Sequence, residues 1–377
     1  MILSTMCLVA FLSIKAGAEA NAPGIPAGDR LKASPKESGR RTDRQMQQRI
    51  GVNCLPGDNV SKAADRLPLG WYKDFSFLGK RFEMSGATVD YVPILTYQGK
   101  YDNPAAADMA PKLWDAGKLP RIPGLTLDDV LDAHSLARLR QRLSREGDRL
   151  PPGTLFQLGM EPGYSHNADD RSPVEIAQDA RQIKAMLDSL GRGYRLALGG
   201  IGTPENQWTK QAYGGIYGMQ FFQNVLDACD GFEFDAYVVH PYPSDPTRPS
   251  FQDSRDQVIA FRRIMAQRGL RKTNLLVGEI GVPYPGVNQQ DAVAFTSQII
   301  EFLLTATDAE TGNPGDGNRL VQKFCWFILS PATFKIPGVT DNPGLDFSVS
   351  ALMSPEGDLT AVGKAFRDAA IRCANVP

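Results

Sequence analysis

Glu161, in Leu158-Gly159-Met160-Glu161-Pro162, and Glu279, in Val277-Gly278-Glu279-Ile280-Gly281, each stand at the end of a short apolar run with the character of a buried strand. Paired carboxyls at strand ends suit the hydrolysis of a glycosidic bond. One must keep its proton to donate to the leaving oxygen and the other must stay ionised to attack the anomeric carbon, about 5 to 5.5 Å away in a retaining enzyme. A single such glutamate is better explained as a structural cap or half of an ion pair. Two of them, at strands that face each other across a barrel mouth, favour catalysis.

Other residue types with useful chemistry gather at the same kind of position. Val238-Val239-His240-Pro241-Tyr242 places an imidazole and a phenol where they can hydrogen-bond carboxylates and sugar hydroxyls, and the chain has only three histidines. Trp326 is expected to floor the cleft, with Cys325 and Phe327 turned the other way, because an indole stacks on the C–H face of a sugar. Tyr97, Tyr164 and Tyr284 follow the third, fourth and seventh runs and are expected to wall the subsites, with Trp71 of the second run also assigned to substrate binding. Tyr101, His166, Trp208, Tyr213 and Tyr217 are further rim aromatics, each taken singly a candidate for ordinary loop packing. Asp169 and Asp170, near Asn167, lack the glycine turn and terminal glutamate of an EF-hand loop, so no metal is assigned and the chemistry requires no cofactor.

These side chains need a scaffold that presents strand ends on one rim. Eight runs rich in apolar and β-branched residues recur: Ile50 to Cys54, Leu69 to Tyr72, Tyr91 to Thr96, Leu155 to Gly159, Leu196 to Gly200, Phe234 to Val239, Leu275 to Gly278 and Phe324 to Leu329. Their hydrophobicity is continuous rather than alternating, which fits strands covered on both faces. Amphipathic stretches lie between them. Ser172-Pro173-Val174-Glu175 combines a capping hydroxyl, a first-turn proline and a glutamate able to close a capping box. Ile176, Ala180, Ile183, Leu187 and Leu190 then form one stripe, ended by Gly191. Helices are also expected over Thr126 to Glu146, Ser254 to Arg268 and Asp291 to Ala306, while the first unit offers only Val60 to Arg66. The fold class is therefore α/β, a (β/α)8 TIM barrel in a single domain from residue 49 to 377. An open doubly wound sheet is the rival, but no G-x-G-x-x-G or Walker loop follows the first strand.

In 377 residues, 42% are hydrophobic, 22% are charged and the net charge is -1, a balance that argues against nucleic acid as a partner. Ile2 to Ile14 is apolar and is followed by small residues, so residues 1–20 are expected to be a signal peptide cut after Ala18 or Ala20. The run is shorter than the ~20 residues that span a bilayer, so no stable membrane insertion is expected after cleavage. Residues 21–48 are polar and expected to form a flexible arm. Cleavage leaves Cys54, Cys229, Cys325 and Cys373, an even set compatible with disulfides in an oxidising compartment. Cys54 with Cys373 is one of three possible connectivities, and buried free thiols are the alternative for Cys229 and Cys325.

From about Gly51 to Phe366 the chain resembles the glycosyl hydrolase catalytic-core proteins related to fungal alkali-sensitive linkage proteins, the β-1,3-glucanases of glycoside hydrolase family 128. The likeness rests on Arg49-Ile50-Gly51-Val52-Asn53, Gly70-Trp71-Tyr72, Tyr91-Val92-Pro93-Ile94-Leu95, Met160-Glu161-Pro162, Val239-His240-Pro241-Tyr242, Gly278-Glu279-Ile280-Gly281 and Cys325-Trp326-Phe327. It implies a retaining (β/α)8 enzyme with Glu161 as general acid/base, Glu279 as nucleophile, and His240 and Tyr242 around them. The family's motif has asparagine where this chain has Met160, and more often threonine where it has Gly278. That asparagine donates to the sugar 2-hydroxyl, which a thioether cannot do. The resulting expectation is a secreted, monomeric β-glucan hydrolase acting on a polysaccharide or oligosaccharide. The alternatives are a carbohydrate-binding protein with a degenerate site and a wall-remodelling transglycosylase.

Overall fold

The computed structural model describes residues 44–54, 58, 60–74, 89–100, 102–116, 127–146, 150–162, 169, 171–203, 218–245, 247–331 and 346–374. The expected signal peptide and all but the last residues of the expected arm lie outside them. No helix among the described residues is long and apolar enough to cross a membrane.

The strands are β1 (Ile50–Cys54), β2 (Trp71–Asp74), β3 (Asp90–Tyr91), β4 (Ile94–Leu95), β5 (Leu155–Leu158), β6 (Arg195–Thr203), β7 (Ala236–Pro241), β8 (Asn274–Ile280) and β9 (Lys323–Trp326). They form one parallel sheet in the order β3-β2-β1-β9-β8-β7-β6-β5-β4. Nine strands occupy eight positions because the expected third strand is split at Val92-Pro93. Its first half pairs with β2 and its second with β5. Pro93 has no N–H for a ladder, yet its carbonyl accepts from Gln157 N at 2.9 Å, and Val92 N donates to Tyr72 O at 3.0 Å. The two ends of the strand order are thus consecutive pieces of chain, and the sheet closes into a (β/α)8 barrel.

Helices alternate with the strands: α1 (Val60–Ala64), α2 (Pro104–Asp115), α3 (Leu127–His134), α4 (Leu136–Glu146), α5 (Pro173–Ser189), α6 (Gly218–Ala228), α7 (Phe251–Gln267), α8 (Gln289–Thr305), α9 (Phe347–Ser350) and α10 (Ala361–Ala374). The capping box of α5 is present as expected, and Gly191 adopts φ +67° after it. α7 starts earlier than Ser254, because Ser250 is the N-cap and Ser254 is buried. The single helix expected over Thr126 to Glu146 is two. At the junction Leu136 N donates to the Asp102 carboxylate at 2.7 Å, so a side chain takes the amide that a continuous helix would have used.

Alternation sorts each strand into an outer face against the helices and an inner face within the barrel. Ile50, Val52 and Cys54 belong to the outer core with Phe156, Leu198, Val239, Phe261 and Ile299. Inside, Trp71, Val92 and Cys325 form one plug and Ala197, Ala236, Val238 and Leu276 another. The cysteines correct the disulfide expectation: all four of the described ones are buried free thiols. Cys325 is inside the barrel while Cys54 and Cys373 are in the outer core and Cys229 follows α6, so packing holds them on different faces and elements.

Candidate active site

Two strands are thinned to glycine where the site is built. In β6 the register shifts between Leu198 and Ile201, so Gly199 and Gly200 form a bulge between two outward residues. A Cβ on Gly200 would stand 2.9 Å from Glu161 N and 2.9 Å from His240 Cε1. On the other side, a Cβ on Gly278 would overlap Val238 Cγ1 and stand 3.0 Å from His240 Nε2. His240 of β7 therefore lies in a slot between two glycines, fully buried. Position 278 has no room for a side chain.

Glu161 reaches the rim through an unusual backbone path. Gly159 has φ +82° and Glu161 itself φ +48°, a region that costs a side-chain-bearing residue of order 1 kcal/mol or more. The turn is backed by a buried cluster. Arg171 makes a two-pronged contact with Asp169, 2.7 Å at each oxygen, and donates to Asp179 and to Tyr97 O at 2.9 Å each. A Cβ on Gly159 would sit 2.8 Å from Arg171 Nη2, so only glycine lets the strand end rest on this cluster.

Glu279 is aimed inward by a second irregularity. Val277 and Ile280 both face the outer core, and the β8–β9 register shifts between them. Strict alternation from Val277 would have sent Glu279 towards the helices. Its two oxygens have separate partners: Lys73 Nζ is 3.3 Å from Oε1, and the Tyr242 hydroxyl donates to Oε2 at 3.1 Å. His240 Nδ1 lies 2.8 Å from Glu161 Oε1 and 3.7 Å from Glu279 Oε2. One oxygen of each glutamate and a nitrogen of His240 fall within 4.8 Å of one another.

Burial pushes His240 down to about 3, with Glu279 opposing and Lys73 assisting, so the imidazole is neutral at ordinary pH. The His240–Glu161 contact consequently carries one proton. Burial, and then the neighbouring glutamates, raise Tyr242 and Tyr284 above the usual phenol range, so both keep their protons. The Tyr284 ring stands 6.3 Å from that of Tyr242. Two carboxylates and an imidazole are also a donor set that a divalent cation could share, but Lys73 already supplies positive charge to Glu279.

Glu161, Glu279, His240, Tyr242 and Tyr284 are thus brought together. Three expected substrate contacts are elsewhere. Trp326 is on the outer face, its Nε1 donating to Ser350 O at 2.7 Å and its ring against Phe366, while Cys325 points inward. Alternation held, but its phase was opposite. Trp71 is packed inside the barrel over Gly51, with Nε1 donating to Arg49 O at 3.3 Å. Tyr97 is buried in the outer core, its hydroxyl bonded to Asp102 and, at 2.8 Å, to Gln182 of α5. Tyr164 lies outside the described residues, as do Tyr101, His166, Trp208, Tyr213 and Tyr217. Sequence reasoning missed Lys73 and Asn53. Asn53 Nδ2 donates to Gly278 O at 3.1 Å and Trp326 O at 3.3 Å, fixing the backbone before Glu279. For Asn53 the available signal was an asparagine inside an otherwise apolar run, whereas Lys73 directly follows its run and is itself followed by Asp74. Phe327 was expected beside Cys325, and its ring stands 6.3 Å from that of Tyr242.

No family model matches the chain, and no curated protein matches it. Among solved structures it is similar to a GH128 (subgroup IV) endo-β-1,3-glucanase from Lentinula edodes, at 17% identity over 85% of this chain and 99% of that one, with a TM-score of 0.52. It is also similar to native xylanase 10B from Thermotoga maritima, at 12% identity over 89% and 98% of the two chains and a TM-score of 0.52. A glucosidase from Croceicoccus marinus matches at 12% identity over 87% and 68%, with a TM-score of 0.54. At such identities the likeness establishes the barrel fold.

Proposed function

We propose that the protein is an exported retaining glycoside hydrolase that cleaves a β-glucan internally, with β-1,3 linkages as the first candidate. The observation that carries this reading is the approach of the two glutamates, with oxygens inside 4.8 Å at the carboxyl ends of β5 and β8. An inverting enzyme holds its carboxyls roughly 6.5 to 9.5 Å apart to seat a water between them, and a retaining one about 5 to 5.5 Å. The glucan assignment draws on the motif resemblance and on the named activities of the similar structures, which belong to those proteins. Export draws on the apolar segment at Ile2 to Ile14.

In the first step Glu161 gives its proton to the departing glycosidic oxygen as Glu279 attacks the anomeric carbon, forming a glycosyl ester. In the second, Glu161 takes a proton from water, the water oxygen attacks the same carbon, and Glu279 leaves as carboxylate. The Tyr242 hydroxyl holds Glu279 Oε2, and neutral His240 orients Glu161.

Met160 favours a second reading, a carbohydrate-binding protein with little turnover. Its sulfur accepts a long contact from Gln157 Nε2 at 3.9 Å and offers no donor to a sugar hydroxyl. Reducing-end release from a linear β-1,3-glucan separates the two. Wild type should release sugar, with Glu279→Gln and Glu161→Ala each losing at least about a hundredfold. Glucan binding with trace hydrolysis unchanged in Glu279→Gln would favour the binding protein. Products longer than the substrate would indicate transglycosylation.

A further inference from the structure

We infer that Asn53 is a positioning residue for Glu279: its buried carboxamide bolts down the irregular stretch of β8 that turns the glutamate into the barrel. The inference deepens the hydrolase reading and rests on it for its catalytic meaning.

Glu279 stands where regular strand pairing is interrupted. The register between β7 and β8 runs as far as Val239 opposite Val277, and that between β8 and β9 passes from Val277 opposite Phe324 to Ile280 opposite Trp326. Gly278 and Glu279 therefore lie beyond the last partners on one side and within a shift on the other. Pairing resumes just past them, where Phe327 N donates to Ile280 O at 2.8 Å. Glycine is the least restrained of residues, so the direction of the side chain after it depends on whatever holds the peptide between Gly278 and Glu279.

Asn53 holds that peptide. It lies on β1 between Val52 and Cys54, which face the outer core, so its side chain is inside the barrel, and it is fully buried. Nδ2 carries two protons and meets two carbonyls, Gly278 O at 3.1 Å and Trp326 O at 3.3 Å, while the main-chain oxygen of Asn53 accepts from Leu329 N at 2.9 Å. One residue thus ties the backbone immediately before Glu279 to β1 and β9. A half-turn of the carboxamide would set its oxygen against both carbonyls, which fixes the donor assignment. The remaining atom, Oδ1, is buried and has no hydrogen-bond partner among the described residues. An apolar residue of this size would fill the same space without an unpaired oxygen, but it would bring no donor to either carbonyl. Lys73 and Tyr242 grip the carboxylate oxygens themselves, so Asn53 supplies what they do not, the direction from which the carboxylate arrives.

Asn53→Ala removes both donors, and Asn53→Asp removes them with little change of shape. In each, kcat for phenolate release from an aryl β-1,3-glucan oligosaccharide should fall about tenfold to a hundredfold, the scale of a misplaced reacting group, with KM nearly unchanged. A change that merely loosened the barrel would also spoil reactions that do not use Glu279. Glu279→Ala supplied with azide provides one such reaction: azide bonds to the anomeric carbon as the aryl oxygen leaves as phenolate, and a small free anion needs no backbone to aim it. Adding Asn53→Ala to that variant should leave the azide-dependent rate within about twofold. A proportional fall there, or an unchanged kcat in Asn53→Ala alone, would overturn the inference.

A crystal structure of Asn53→Ala gives a reading independent of turnover. The Gly278 carbonyl should rotate and Glu279 Oε2 should move out of hydrogen-bond reach of the Tyr242 hydroxyl, while His240 and Glu161 keep their 2.8 Å contact. Glu279 found in its original place would refute the positioning role. Asn53→Ser, which keeps one donor, serves the same comparison where the alanine variant does not fold. If wild type releases no sugar from any glucan, the hydrolase reading fails, and the crystal structure still decides whether Asn53 aims Glu279.

Discussion

His240 shows at the residue scale how much backbone is surrendered to one side chain. The glycine at 278 is required by contact, since a methyl group there would overlap Val238 and press on the imidazole. Gly278→Ala should displace the ring, lower kcat roughly a hundredfold and cost about 1–3 kcal/mol of stability, measured by steady-state kinetics and urea unfolding. The imidazole also sets a pH limit. Burial holds His240 and His134 both down to about 3, whereas an unfolded histidine titrates near 6.5. Below that value the unfolded chain binds more protons than the folded one, so stability falls with pH. Each histidine contributes up to about 1.4 kcal/mol per pH unit until the folded value is reached. The melting temperature should decline from pH 6.5 to 4, and His134→Gln should make that decline shallower. His240, by the same reasoning, contributes no limb to the activity profile near pH 6.5.

At the scale of elements, what matters is where regularity stops. The α5 cap was legible because its signal is local: Ser172, Pro173 and Glu175 satisfy one another whatever packs nearby. The split of the expected 126–146 helix was not, because the competitor for Leu136 N is Asp102, far back in the chain. The bulges of β6 and β8 were equally hidden, though Gly199-Gly200 hinted at one. The Arg171 cluster is an element-scale brace, joining the turn after β5 to the start of α5. Arg171→Met would leave Asp169 and Asp179 without their cation and should cost about 3–5 kcal/mol, read by denaturant unfolding. Glucan turnover should fall in the same variant, because the turn that carries Glu161 rests on the guanidinium.

At the scale of the molecule, closure depends on a broken strand. Pro93 divides the third position so that one half completes each neighbour. Arg49 locks the opposite end of the barrel, donating at 2.7 Å to Leu304 O at the end of α8 and at 2.7 Å to Val321 O before β9. Burial lowers its pKa to about 10, still far above ordinary pH, so the clamp stays charged. Covalent crosslinks have no part in the described structure. Burial raises the Cys54, Cys325 and Cys373 thiols and pushes Cys229 up to about 11, leaving them protonated and unreactive. Added reductant should therefore leave the melting temperature unchanged, and native-state alkylation should be slow compared with alkylation in urea.

The sequence by itself determined that strands and helices alternate, that both glutamates end strands, and that His240 and Tyr242 share a third strand end. Those features depend on neighbours a few residues apart, which hydrophobic runs and caps record. Only the tertiary structure decided which way the side chains face. Glu279 enters the barrel through a register shift, Trp326 leaves it by the phase of β9, and Lys73 meets Glu279 because closure brings β2 and β8 around one axis. Facing is a property of strand pairing across the whole ring, and one residue of slip reverses it.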